Sequence, residues 1–203
     1  MTSFKEILVK TSTNYILIYL QHLQTKDTLN IINIYAPVIL ADKQSCRDTI
    51  RDLATELPME NVILAGDTNL TLRQDEKRGG YTVKDPARQW VEDLIHHWDL
   101  LDIKPVKGKY TWVNRRAGSG HTAARLDHFL IQSSFLLLGL KISSFIIPSS
   151  VSNNKPIRLE MTPLLNLGPI PFRFSPLWVQ QSDFFGIVED AWKPLVNGSP
   201  FFV

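Results

Sequence analysis

The sequence predicts an α/β fold, and three observations carry that prediction. Runs rich in Ile, Leu, Val and Tyr recur with turn-like breaks between them. Other segments repeat apolar residues at helical spacing. The two kinds of segment alternate along the chain, which places helices against sheet and permits two sheets sandwiched between helices.

The elements follow in order. Residues 7–10, 15–22 and 29–35 read as strands, separated by breaks at 11–14 and 25–27. In the second, Tyr15, Leu17, Tyr19 and Gln21 alternate with Ile16, Ile18 and Leu20, so the two faces are nearly equally apolar, as for a strand buried on both sides. Ala36-Pro37 ends the third strand. A helix follows from about Asp42, with Cys46, Ile50, Leu53 and Leu57 on one stripe and Pro58 as its stop. Residues 62–65 form a short buried strand closed by Gly66-Asp67, and the polar stretch 70–85 reads as a loop.

Asp85-Pro86 is a helix start, and Trp90, Val91, Leu94, Ile95 and Trp98 give that helix its buried face. Residues 110–114 and 126–131 predict two strands joined by a mobile basic loop, 115–121, and 142–147 predicts a last strand leading to the polar turn 149–155. Past Met161 the composition shifts, with Pro163, Pro169, Pro171 and Pro176 in a stretch of little period. Two regions are therefore expected: a domain over 1–161, then a Pro-containing linker over 162–203. That linker carries a short helix at 182–192, with Phe184, Ile187, Val188, Ala191 and Trp192 inward.

Composition narrows the class. A net charge of +2 permits nucleic-acid binding without arguing for it. One cysteine, Cys46, allows no internal disulfide and no zinc site of the usual thiolate kind, which fits a reducing compartment. There is no signal-peptide pattern, and the most apolar stretch, 129–140, is interrupted by Gln132, Ser133 and Ser134. It falls short of the ~18 residues that a membrane span needs. The expectation is an intracellular protein, nuclear or cytoplasmic, with no membrane partner.

Several residues could carry chemistry. Asp67 and Asn69 follow a buried strand, where a carboxylate can meet Mg²⁺ and an amide can donate to a phosphoryl oxygen. The same residues are common in plain turns. Asp67 and Asn69 fall on one side if the chain stays extended. Tyr35 could touch a phosphate or be a half-buried strand aromatic. Asp127 could orient a base or contact metal, or pair with Arg125 at the surface. The five histidines lack ligand spacing and read as ordinary surface or core residues. Lys104, Lys107, Lys109, Arg115, Arg116 and Arg125 surround Tyr110 and Trp112, a pattern of nucleic-acid platforms and equally of solvated edge strands.

Taken together, Asn33-x-Tyr35-x-Pro37, Gly66-Asp67-x-Asn69, Tyr110-Thr111-Trp112 and Arg125-Leu126-Asp127-x-Phe129-Leu130 resemble the endonuclease/exonuclease/phosphatase superfamily. The nearest likeness is to the apurinic/apyrimidinic-like endonuclease of plant non-LTR (LINE-type) retrotransposons. There residues 63–67, 75–80, Pro171-Phe172-Arg173-Phe174 and Trp178 are also similar. The resemblance covers roughly residues 5–195. It implies a four-layer αββα sandwich and Mg²⁺-dependent nicking of DNA. It implies that Tyr35 contacts phosphate, that Asp67 and Asn69 sit at the scissile phosphate, and that Asp127 orients a catalytic His. It places Thr111 and Trp112 at the DNA backbone, and the basic-aromatic pattern adds Arg115, Arg116 and Arg125 as nucleic-acid candidates.

The departures are specific. Where the family has Ser-Asp-His before Pro, this chain has Ser152-Asn153-Asn154-Lys155-Pro156. Asn153 stands for an acidic residue and Asn154 for the His. The family's leading strands and helix, with a first-strand Asn and a metal-binding Glu, have no counterpart, and Glu6 is too close to Tyr35 to be that Glu. The expected protein is an N-terminally truncated, degenerate Mg²⁺-dependent DNA endonuclease domain with impaired catalysis. In it Asp67 is a weak metal ligand and Asn153 an uncharged substitute for another. Its rivals are a surviving nuclease, a non-catalytic nucleic-acid-binding module and a gene fragment without function. DNA is the expected partner of a working domain, and the sequence leaves its protein partners unknown.

Overall fold

The computed structural model describes residues 4–56, 58, 60–80, 85–163, 179 and 181–193. Met1–Leu164 form one compact unit and Leu165–Val203 a second. The first is built on a six-stranded sheet.

Strands β1 (Phe4–Thr11), β2 (Tyr15–His22) and β3 (Thr28–Tyr35) form an antiparallel meander. Helix α1 (Leu40–Glu56) then crosses back so that β4 (Val62–Asp67) pairs parallel with β3. A parallel pair requires such a crossover. Strand β9 (Asp127–Gln132) lies antiparallel beside β4, with β6 (Leu100–Asp102) outside it.

One face of this sheet is closed by α1 and α2 (Arg88–His97). Leu17, Ile32, Ile34, Val62, Leu64 and Leu130 meet Cys46, Ile50 and Leu53 of α1 and Val91, Leu94 and Trp98 from the α2 side. The stripes expected for both helices are these contacts, apart from Leu57, which lies outside the described residues. Helix α2 begins at Arg88 with Ala87 at the cap position, so Asp85 stands two residues before the cap expected of it, its Oδ1 accepting the Ala87 N–H at 2.9 Å.

The opposite face carries a smaller cluster of Ile63, Ile131 and Phe135, packed with Ile142 of β10 (Leu140–Ile146) and Leu159 and Met161 of β11 (Ile157–Pro163). Strands β10 and β11 form their own antiparallel pair. Cover over this face is uneven: Ile16 is 47% exposed, and Ile7, Leu8 and Val9 of β1 are also exposed. The expectation that β2 is buried on both sides therefore fails on its Ile16 side.

Four strands escaped the sequence reading: β5 (Lys77–Arg78), β8 (Ala123–Ala124), β6 and the longer β11. Strands β5 and β8 form a small third sheet with β7 (Trp112–Val113), which is the middle of the strand expected at 110–114. Strands of two or three residues are too short to show a period. Strand β11 also runs through the composition shift expected at Met161. The loop 115–121 is not loose. The Asn114 Oδ1 accepts the N–H groups of Arg116 and Thr122, and Arg115 donates to the carbonyls of Ser150 and Ser152.

In the second unit, α3 (Phe184–Trp192) occupies the expected place. Phe184 and Val188 are half-buried, but Ile187 is exposed and does not turn inward. Residues 171–174 and 178, similar to the retroelement family by sequence, lie outside the described residues. Among the described residues no helix is long and apolar enough to cross a membrane.

Candidate active site

The last residue of β4 is Asp67, and the residue before it explains how the strand gets there. Gly66 has φ +118°, and a Cβ at that position would lie 2.1 Å from the Ile34 carbonyl oxygen of β3. Only glycine permits so close an approach of two backbones. The tight pairing sets Asp67 in register with Tyr35 of β3 on one side and Asp127 of β9 on the other. Strand alternation puts all three on the sheet face away from α1 and α2.

Beyond Asp67 the chain leaves the strand. The Asp67 carbonyl accepts the Ala36 N–H at 2.7 Å, and the Thr68 N–H reaches the Leu126 carbonyl at 2.8 Å. Asn69 is left-handed, with φ +48°. In that conformation its N–H donates to Asp67 Oδ1 at 2.8 Å and its side-chain amide to the Ala36 carbonyl. The chain is thus not extended here, yet Asp67 and Asn69 still share one cleft, because the turn folds the second back beside the first.

That cleft, of about 550 Å³, is lined by Tyr35, Asp67, Asn69, Lys77, Trp112 and Asn154, among others. Its far wall is the small sheet, in which Lys77, Ala124 and Trp112 are successive cross-strand neighbours and Trp112 bridges to Asn154. Asn154, which the sequence resemblance sets in the place of a His, therefore lies on the cleft wall. Asn153 is exposed, and its carbonyl accepts the Val113 N–H at 3.0 Å.

Burial pushes the Asp67 carboxyl up to about 6, against the Asn69 N–H that favours the anion. The charge of Asp127 raises it further, while His128 and Lys43 pull the other way. Burial likewise raises Asp127, despite the Thr111 hydroxyl and the charges of His128 and Arg125. Asp127 Oδ2 is buried without a hydrogen-bond partner. Two desolvated carboxylates side by side, one of them lining a cleft, are an arrangement by which functional sites displace ionisation.

Two residues expected on nucleic acid sit elsewhere. Thr111 is fully buried, and its hydroxyl accepts the N–H groups of Leu126 and Asp127 at 3.0 and 3.1 Å. It shapes the approach to β9 rather than facing a ligand. Arg125 is 3% exposed. Its guanidinium donates to Glu76 Oε1 at 2.7 Å and to both oxygens of Asp102. An expected surface pair of Arg125 with Asp127 is replaced by this buried clamp. Glu76 Oε2 in turn accepts the Leu72 and Arg73 N–H groups, so one guanidinium ties the loop after Asn69 to the start of β9. Burial raises Asp102, but His128 and Arg125 more than offset it and hold that carboxyl below its ordinary range.

His128 is a core residue, its Nδ1 3.5 Å from Asp102. Ligand atoms of Glu76, Asp102 and His128 lie within 4.8 Å of one another. The Arg125 guanidinium already supplies cationic charge to both of those carboxylates, so the set does not call for a metal.

Trp112 is half-buried in the cleft wall, and Arg115 and Arg116 are exposed. Asp102 gave no signal in the sequence beyond an acidic residue after a helix, and Glu76 lay in the similar stretch 75–80 without a role of its own. Lys43 did leave a trace, since it precedes Cys46 by three residues and Ile50 by seven and so falls on the buried stripe of α1.

No protein-family model matches the chain. Solved structures do. The endonuclease domain of TRAS1, a telomere-specific non-LTR retrotransposon, superposes with a TM-score of 0.59 at 15% identity, over 78% of this chain and 68% of that one. The mannosyl-6-phosphatase Bt3783 of Bacteroides thetaiotaomicron VPI-5482 gives 0.50 at 12% identity, over 79% and 67%. At these identities the likeness is one of fold. The mixed α/β arrangement expected from the sequence motifs is the arrangement these proteins share.

Proposed function

We propose that this chain is an Mg²⁺-dependent phosphodiesterase domain of the DNA endonuclease type, of retroelement origin, whose catalytic set is degenerate. The observation that carries this reading is the row Tyr35–Asp67–Asp127, in register across three adjacent strands, with Tyr35 and Asp67 lining a cleft beside Asn69 and Asn154.

The donor set fits a hard cation. Asp67 and Asp127 are hard oxygen donors, one Asp127 oxygen lacks any partner, and the nearby cations Lys43 and Arg125 are committed to Asp85, Glu76 and Asp102. Mg²⁺ needs only one or two carboxylates when a phosphate and waters complete its shell. Asp67 would hold it, with Asp127 beside. When bound, such an ion neutralises phosphoryl charge and acidifies a water.

The chain's own residues do the rest. The Tyr35 hydroxyl, on a side chain that is 61% exposed, is free to meet a phosphate oxygen. The Asn69 and Asn154 amides can donate to others. Neither amide can take or give a proton at neutral pH, so the general acid–base contribution of about 10²–10⁴-fold is forfeited. Asp127, without a His opposite, has no base to orient.

Nicking of supercoiled plasmid with Mg²⁺, beside Asp67→Ala, tests this. Slow nicking that Asp67→Ala abolishes supports the impaired enzyme. Nicking as fast as that of an intact domain of this fold removes the impairment. A folded, silent chain leaves the second reading, a nucleic-acid-binding module, which the exposed Lys104, Lys107, Lys109, Arg115 and Arg116 favour. Salt-dependent affinity for DNA without cleavage identifies it.

A further inference from the structure

Helix α1 buries a lysine. Lys43 is 4% exposed, and its ammonium donates to the Asn69 carbonyl at 3.0 Å and to the Asp85 carboxylate. An ammonium withdrawn from water costs several kcal/mol unless it is fully paired. An apolar residue would fill this place on the stripe beside Cys46 and Ile50 without that cost. The position is therefore to be explained by what the ammonium holds.

It holds two things at once. The first is the left-handed Asn69, a backbone state disfavoured for residues with a Cβ and tolerated best by Asn and Asp. The Asn69 N–H and amide are aimed at Asp67 Oδ1 and the Ala36 carbonyl only in that state. The second is Asp85, whose other oxygen accepts the N–H of Ala87 just before α2. Asp85 and Arg88 line the same cleft as Asp67 and Asn69. A single buried charge thus joins the turn after β4 to the opening of α2.

We propose that Lys43 is the positioning residue of the cleft. It latches Asn69 in its left-handed conformation and so keeps the Asp67 carboxylate and the Asn69 amide in place for phosphate and cation. Lys43 touches neither ligand. The proposal rests on the phosphodiesterase reading for what the cleft binds, but not for the latch itself.

The test uses the full chain with Lys43→Met paired with Asp85→Asn, so that no buried carboxylate is stranded, beside Lys43→Arg. Two quantities are read on protein shown to be folded: hydrogen exchange of the Asn69 amide and equilibrium binding of Mn²⁺ followed by electron paramagnetic resonance. The double variant is expected to exchange the Asn69 amide at least about tenfold faster and to bind Mn²⁺ about tenfold more weakly, a change of about 1.4 kcal/mol. Lys43→Arg, which keeps a cation, is expected to restore the protection. If the folded double variant protects Asn69 as well as the native chain does, the latch is wrong. If the double variant does not fold, Lys43→Arg decides: slow Asn69 exchange supports the latch, and fast exchange in the folded protein overturns it. If the native chain binds no Mn²⁺, the metal reading of the cleft fails, and Asn69 exchange still decides the role of Lys43.

Discussion

Asp67 stands directly across the β4–β9 ladder from Asp127, so two carboxylates confront each other at one end of the sheet. Like charges placed opposite each other destabilise a strand pair. Burial adds to that cost, and both groups are held above the ordinary carboxylate range. Nothing in the fold needs this confrontation, since apolar residues at these positions would continue the Ile63 and Ile131 surface.

The cost sets the pH dependence of stability. The ordinary aspartate ionises at 3.8 and Asp67 in the folded chain at about 6. Below about 4 the group is protonated in both states and contributes nothing. Between about 4 and 6 the unfolded chain loses its proton first, so stability falls as pH rises, and above about 6 the penalty stays constant at about 3 kcal/mol. Asp67→Asn is therefore expected to stabilise the chain at pH 7.5 by up to that amount, and by nothing at pH 4. Urea unfolding of both proteins at the two pH values checks this, and a variant less stable at both would refute it.

A cation that relieves the confrontation stabilises the fold by mass action. Mg²⁺ or Mn²⁺ at about 100 times its dissociation constant contributes about 2.7 kcal/mol. The melting temperature of the native chain at pH 7.5 is expected to rise with either ion, and that of Asp67→Asn to stay unmoved. Scanning calorimetry with and without chelator measures it. An equal rise in both proteins would place the ion elsewhere.

Replacing Asn154 by His, together with Asn153→Asp, puts a titratable imidazole on the cleft wall. Asn154 already bridges to Trp112 and lines the cleft, so an imidazole there would face Asp67 without rearrangement of the backbone. The double substitution is expected to raise plasmid nicking by about 10²-fold or more. Asn153→Asp alone, exposed and turned from the cleft, should give little. No gain from the pair would mean that the site lacks more than its base.

Legibility in the sequence followed length of signal. Strands β2, β3 and β9 and helices α1 and α2 each carry a period or an apolar run, and each was readable. Tyr35, Asp67 and Asn69 were readable as candidates because they sit at the ends of such segments. Their registration with Asp127 was not, because it depends on Gly66 letting β4 close on β3 and on β9 entering beside β4, two non-local events. The same holds for Arg125. Among basic and aromatic neighbours it looked like one more surface cation, and only the arrival of Glu76 and Asp102 from distant segments shows why it is buried.

That difference yields the last prediction. Arg125 is clamped between Glu76 and Asp102, whereas Arg115 and Arg116 are exposed. Removing one partner of a buried ion network strands the others and costs about 3–5 kcal/mol. Arg125→Met is therefore expected to lower stability by about that much, and to leave the salt dependence of any DNA binding unchanged in the protein that remains folded. Arg115→Ala with Arg116→Ala should do the reverse, with a small effect on unfolding. The slope of log affinity against log salt should fall by up to about 0.9 for each duplex phosphate that is no longer neutralised. Fluorescence anisotropy over a salt series, beside urea unfolding, measures both. If Arg125→Met flattened the salt slope while the fold held, the guanidinium would have to reach solvent, which its two carboxylate partners prevent.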